Sequence, residues 1–177
     1  MRAQWAPWSA VVVLAIIGLA GCAPGQPHEQ EAPPVTQTNS PSGLTWEDAK
    51  ASTQAMEKEI VARIPSAEVS AVDQMSTGIL FSCSDDRHVW KGGTTVTLVP
   101  GVDAEAVVRS LEDSFANDRF DIRTRQDFDG NYEVQLVAPD GEENYLFSRD
   151  RGGDTLSIRS TSACFTLPAG VYPGGDF

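Results

Sequence analysis

FDIRTRQDFDGNYEVQLVAPDGEENYLFSRDRGGDTLSIRS, residues 120–160, reads as four short strands separated by three tight turns. The strand-like runs are Phe120 to Gln126, Tyr132 to Ala138, Glu143 to Arg149 and Thr155 to Ser160. Asp129-Gly130, Asp140-Gly141 and Gly152-Gly153 punctuate them. Connections this short can only join antiparallel neighbours, because a parallel pair needs a long crossover. The stretch therefore predicts a meandering antiparallel sheet.

Working outward, Asp103 caps a helix whose stripe is Ala104, Val107, Val108, Leu111 and Phe115. Upstream lie three further runs, Glu68 to Met75, Gly78 to Ser84 and Thr94 to Val99, with Gly92-Gly93 read as another tight turn. An earlier helix begins after Thr45, which can pair with Asp48 in a variant of the capping box. Trp46, Ala49, Thr53, Met56, Ile60 and Ile64 share one of its faces, and Pro65 stops it. The order is helix, three strands, helix, four strands. It predicts an α+β domain, a meandering antiparallel sheet with two helices packed on one face. A helix followed by strands occurs twice, which leaves an ancient duplication open, although no residue-by-residue repeat supports one.

The N-terminus carries an address. Met1-Arg2 is followed by a short apolar run, Ala10 to Leu19, too short to span a bilayer comfortably, and the run ends in Leu19-Ala20-Gly21-Cys22. These four residues closely resemble the lipobox of bacterial lipoproteins. The resemblance implies cleavage before Cys22, a diacylglyceryl group on its thiol and residence on the outer face of the cytoplasmic membrane. Acyl chains contribute about 0.8 kcal/mol per buried methylene, so two or three make a stable anchor. The resemblance marks off a signal peptide (1–21), and composition and length divide the rest into a tether (22–43) and a single domain (44–177). Ala23 to Gly43 is rich in Pro, Gln, Thr, Ser and Gly and is too poor in aliphatic residues to bury a core.

The formal charge is −12, and because residues 1–21 contain one ionic side chain, Arg2, the mature chain carries −13. Such a chain is repelled by nucleic acid and by anionic lipid head groups. The full sequence has three Lys (Lys50, Lys58, Lys91) against ten Arg. That bias suits a high-GC genome, and in this the chain is similar to small actinobacterial lipoproteins of uncharacterised role.

With Cys22 committed to lipid, Cys83 and Cys164 remain in a compartment where thiols oxidise, so one disulfide is expected between them. It would tie the first half of the sheet to its last strand.

Catalysis finds little footing. The domain has a single histidine, His88, in Ser84-Asp85-Asp86-Arg87-His88, which reads as a solvated polar loop. No Gly-x-Ser-x-Gly elbow accompanies it. One histidine without a free thiol leaves too few nitrogen or sulfur ligands for zinc. Asp127 to Glu133 has the alternating oxygen side chains of a calcium loop, but its glycine falls fourth, not sixth, and a hairpin turn explains the residues. The Gly- and Pro-rich segment Pro168 to Phe177 reads as a loosely packed tail. The sequence thus nominates no catalytic residue, metal or cofactor. The expected role is a non-catalytic envelope binding or accessory module, partnered by the membrane through Cys22 and by an envelope protein or cell-wall ligand, not nucleic acid. The alternatives are a carrier of a lipid or other apolar ligand, which needs a large apolar pocket, and a carboxylate-based hydrolase, which needs convergent acids in a cleft.

Overall fold

The computed structural model describes residues 43–177. The expected leader (1–21), the lipid site Cys22 and all but the last residue of the tether lie outside the described residues. Helix α1 runs Trp46–Ala62 and α2 runs Ala104–Phe115. The strands are β1 Val69–Gln74, β2 Ile79–Ser82, β3 Arg87–Leu98, β4 Asp121–Gln126, β5 Tyr132–Val137, β6 Asn144–Arg149, β7 Thr155–Thr161 and β8 Phe165–Thr166. All pair antiparallel in one eight-stranded sheet of order β1-β3-β7-β6-β5-β4, with β2 and β8 also on β3. The fold is α+β, with both helices on one face and one disulfide, Cys83–Cys164.

Both helices start as their caps dictate. Thr45 Oγ1 accepts from Asp48 N–H (3.1 Å) and donates to Asp48 Oδ2 (2.9 Å), while Asp103 Oδ1 accepts from the N–H groups of Glu105 and Ala106. The α1 stripe (Met56, Ile60) and the α2 stripe (Val108, Leu111, Phe115) meet Val96, Leu136, Tyr145, Phe147 and Ile158 of the sheet in one core. Phe115, Phe120 and Tyr145 stack edge-to-face in succession, with centroids 6.1 and 6.0 Å apart.

The three hairpins of the meander repeat one device. The N–H of Gly130, Gly141 and Gly153 donates to the carbonyl three residues earlier, on Asp127, Ala138 and Asp150, and each glycine has positive φ (81°, 75° and 82°). This is a tight turn closed by a residue in the left-handed region, where glycine carries no Cβ penalty. β3, the last strand before α2, pairs with β7, the last strand of the meander, while the first strands after each helix, β1 and β4, lie at the two ends of this order.

Three expectations are corrected, and one short strand is added. Gly92-Gly93 is not a turn but the middle of β3, which spans twelve residues where the sequence reading had begun it at Thr94. Both glycines serve by lacking a Cβ. At Gly92 it would strike the indole of Trp90 (2.6 Å to Cζ3), and at Gly93 the carbonyl of Ile158 (2.5 Å). His88 is likewise not in a loop: the β2–β3 turn closes at Ser84 to Asp86, and His88 sits in β3 between Ser82 of β2 and Phe165 of β8. The short β8 went unforeseen. The segment ending at Phe177 is no loose tail at its end. Phe177 exchanges two main-chain hydrogen bonds with Gly78 (2.7 and 3.0 Å) and meets Trp46 edge-on at 5.3 Å.

Trp90 organises that second, smaller core. It is fully buried with Ala49 and Phe165, flanked by Leu44, Trp46, Leu80 and Phe177. A Cβ on Gly78 would come within 2.5 Å of its ring, and its Nε1–H donates to the Phe177 main-chain oxygen (3.2 Å).

Candidate functional site: the open face of the sheet

Side chains alternate across a strand, so the registers set out the face that the helices leave bare. One row across it is Arg125, Glu133, Ser148, Ser157, Thr95 and Asp73. The next is Arg123, Gln135, Leu146, Arg159 and Gly93. A third is Asp121, Val137, Asn144, Thr161, Lys91 and Ile79. The face is rich in hydroxyls, amides and cations.

At its centre Glu133 is completely buried, and its two oxygens are divided between two guanidiniums. Arg125 Nε donates to Oε1 at 2.6 Å, and Arg159 Nη2 donates to Oε2. The arginine side chains are 60% and 56% exposed, so each shows most of its donors to solvent. A guanidinium has five N–H donors and no acceptor. The carboxylate therefore works as an internal clamp, fixing two cationic forks whose outer edges are free to bind. Two hollows open beside the clamp. One, about 330 Å3, is lined by Lys91, Gly92, Arg125, Leu146, Arg159, Ser160 and Thr161. The other, about 370 Å3, is lined by Arg125, Gln126, Asp127, Phe128, Glu133 and Arg159. Phe128, at the hairpin tip, is 99% exposed.

The second wholly buried carboxylate lies on the other side of the sheet. Glu57 of α1 accepts from Gln74 Nε2 (2.8 Å), Thr94 Oγ1 (2.7 Å) and Ser160 Oγ, joining α1 to β1, β3 and β7. These neutral donors satisfy a carboxylate that burial would otherwise penalise. Glu57 and Glu133 belong to opposite faces, so the two do not converge as a hydrolytic pair.

The remaining sequence candidates are placed as follows. Cys83 follows β2 and Cys164 precedes β8, the two strands flanking the start of β3, and the disulfide closes over that end. His88, registered between Ser82 and Phe165, has its Nδ1 buried and without a hydrogen-bond partner among the described residues. In the Asp127–Asn131 hairpin, Asp127 Oδ1 accepts from the N–H groups of Asp129 and Asn131, and Oδ2 accepts from Asn131 Nδ2. Partial burial raises the Asp127 pKa, but the hydrogen bonds from Asn131 and Asp129 outweigh it and hold the carboxyl below its usual value. Asp129 is taken by Arg151 (2.9 and 3.0 Å), whose own pKa that bond raises. The oxygens a calcium ion would need are thus already engaged by donors of the chain. Millimolar calcium is expected to leave the melting temperature unchanged, since a ligand that binds only the folded state must raise it. A rise abolished by Asp129→Ala would contradict this.

The carrier alternative needs interior space. An apolar hollow between α1 and β1, lined by Val61, Ala62, Val72 and the stem of Lys58, encloses about 210 Å3. Ligand cavities usually fall between about 300 and 1,000 Å3.

Sequence reasoning did not single out Arg125 or Arg159; it named Lys91 only among the basic residues and Glu133 only as the end of the calcium-like run. The available signal was Arg123-Thr-Arg125 facing Glu133-Val-Gln135 across a hairpin, which period-2 alternation places on one face. The chain matches no family model, no curated protein and no solved structure. Among the described residues no helix is long and apolar enough to cross a membrane.

Proposed function

We propose that the protein is an extracytoplasmic lipoprotein, held at the membrane by lipid on Cys22, whose domain is a non-catalytic module that binds envelope material through the open sheet face. The carrying observation is the Arg125–Glu133–Arg159 clamp, a buried carboxylate orienting exposed donors on an uncovered, hydroxyl-rich sheet. Both fully buried carboxylates are saturated by donors from neighbouring strands, which suits structural work more than acid–base chemistry. The lipobox supports the address, and a tether of 21 residues supports reach: Ala23 to Gly43 can extend roughly 70 Å. Mass spectrometry of the mature N-terminus is expected to find acyl mass on Cys22, and Cys22→Ser is expected to leave an unacylated, poorly processed chain released from membranes. An unmodified N-terminus at another residue would remove the anchor. For the module, delipidated cell-wall material is expected to retain the wild-type protein and to lose it on Arg159→Ala.

A further inference from the structure

The hollow beside the clamp has a chemistry of its own. Lys91, Arg125 and Arg159 all line it, and among the described residues Glu133 is the only anionic side chain bonded to any of the three. Three cations against one anion is a local excess of two positive charges, in a chain whose formal charge is −12. Lys91 forms no ion pair among the described residues; its ammonium lies 4.5 Å over the Phe81 ring. Gly93, directly opposite Arg159 on β3, contributes no side chain, so the floor between Lys91 and Arg159 stays open. Thr161, directly opposite Lys91, adds a hydroxyl to the wall.

We propose that this hollow is a phosphate subsite, taking the phosphate group of a water-soluble ligand such as a phosphorylated saccharide. Two guanidinium forks and an ammonium, carried on three separate strands (β4, β7 and β3), suit a tetrahedral dianion better than a planar monoanion. The hydroxyls of Ser157 and Thr95, in the next row of the same face, offer donors and acceptors to the rest of such a ligand. A bilayer phosphate is the poorer match, since the acidic body is repelled by an anionic surface. Glu133 is a positioning residue: it holds the forks apart and touches no ligand. The inference deepens the proposed binding function and rests on it.

Calorimetry on the mature lipidated protein in nanodiscs of neutral lipid tests it, with inorganic phosphate and glucose 1-phosphate as probes at constant ionic strength. Both are expected to bind saturably, glucose 1-phosphate more tightly. Lys91→Glu is expected to weaken phosphate by about tenfold or more, the scale of one lost charge-assisted bond. Lys91 is exposed, so this variant should fold as the wild type does. Arg159→Lys keeps a charge on Glu133 but loses the fork, and is expected to weaken binding several-fold. Arg109→Ala, an α2 cation paired with Glu105, is the control and should change nothing. Unsaturable heats, or equal affinity in Lys91→Glu, would overturn the proposal. Competition by phosphatidylglycerol nanodiscs would overturn the water-soluble source. Should phosphate fail to bind while Arg159→Ala still releases the protein from cell-wall material, the subsite is refuted and the binding module stands.

Discussion

Trp90→Ala is expected to cost about 3–5 kcal/mol of folding stability, the range for deleting a large, fully buried aromatic side chain. The site cannot collapse to refill the space, because the indole lies against Gly78 and Gly92, which have no side chains to move inward. The loss also removes the Nε1–H bond to Phe177 and the surface on which Trp46, Leu80 and Phe165 pack. For a domain of this size the melting temperature should fall by about 10–20 °C. Gly92→Ala probes the same slot from the other side, forcing a methyl group into the ring, and is expected to cost about 1–3 kcal/mol. Urea unfolding of the two variants measures both effects. A change below about 1 kcal/mol in Trp90→Ala would show that the smaller core is not cooperative with the rest.

The second large effect is expected from replacing Cys83 and Cys164 with alanine. The bond joins residues 81 apart, and closing a loop of that length restricts the unfolded chain by about 4.5 kcal/mol in the chain-entropy model. Measured losses for native disulfides run about 2–5 kcal/mol. The damage should also be local. β2 and β8 hold the start of β3 from its two sides, with only two registered pairs between β3 and β8. Without the bond, amide exchange should accelerate at Arg87 to Val89 and stay slow in β5 and β6. Uniform acceleration throughout the sheet would mean that the bond acts on the unfolded state alone.

The elements that were legible in the sequence are those whose side-chain pattern and punctuation agree. α2 has a cap and an unbroken apolar stripe, and the three Gly-closed hairpins of β4 to β7 have turn residues in the only positions that need them. The cysteine pair was legible from chemistry, because compartment and count left one pairing. Gly92-Gly93 misled because glycine has two uses. It supplies positive φ in a turn and it vacates space in a strand, and a dipeptide does not say which. Here the occupant of the space, Trp90, lies two residues away on the same strand face. Reading β3 short also moved His88 into a loop. Glu57 and Glu133 were illegible for another reason. Each stands where polarity looked innocent, one beside the Met56 stripe and the other on the alternate positions of β5, and burial came only from partners on other strands. The clamp is assembled from three strands and exists in no segment of sequence.

The docking of Phe177 has a kinetic consequence. Phe177 packs on Trp46 of α1 and bonds Trp90 of β3 across 87 residues, and the Glu57–Ser160 bond spans 103, so both of these ties on α1 wait for partners from the far side of the chain. As the polypeptide emerges from its N-terminal side, the β4–β7 meander can form by local zippering, whereas α1 has no sealed seat until the final residues arrive. Non-local closure of this kind slows folding more than it alters stability. An interrupted or truncated chain would therefore hold a formed meander beside an unseated α1, with Ala49, Trp90 and Phe165 accessible to chaperones and proteases during that interval.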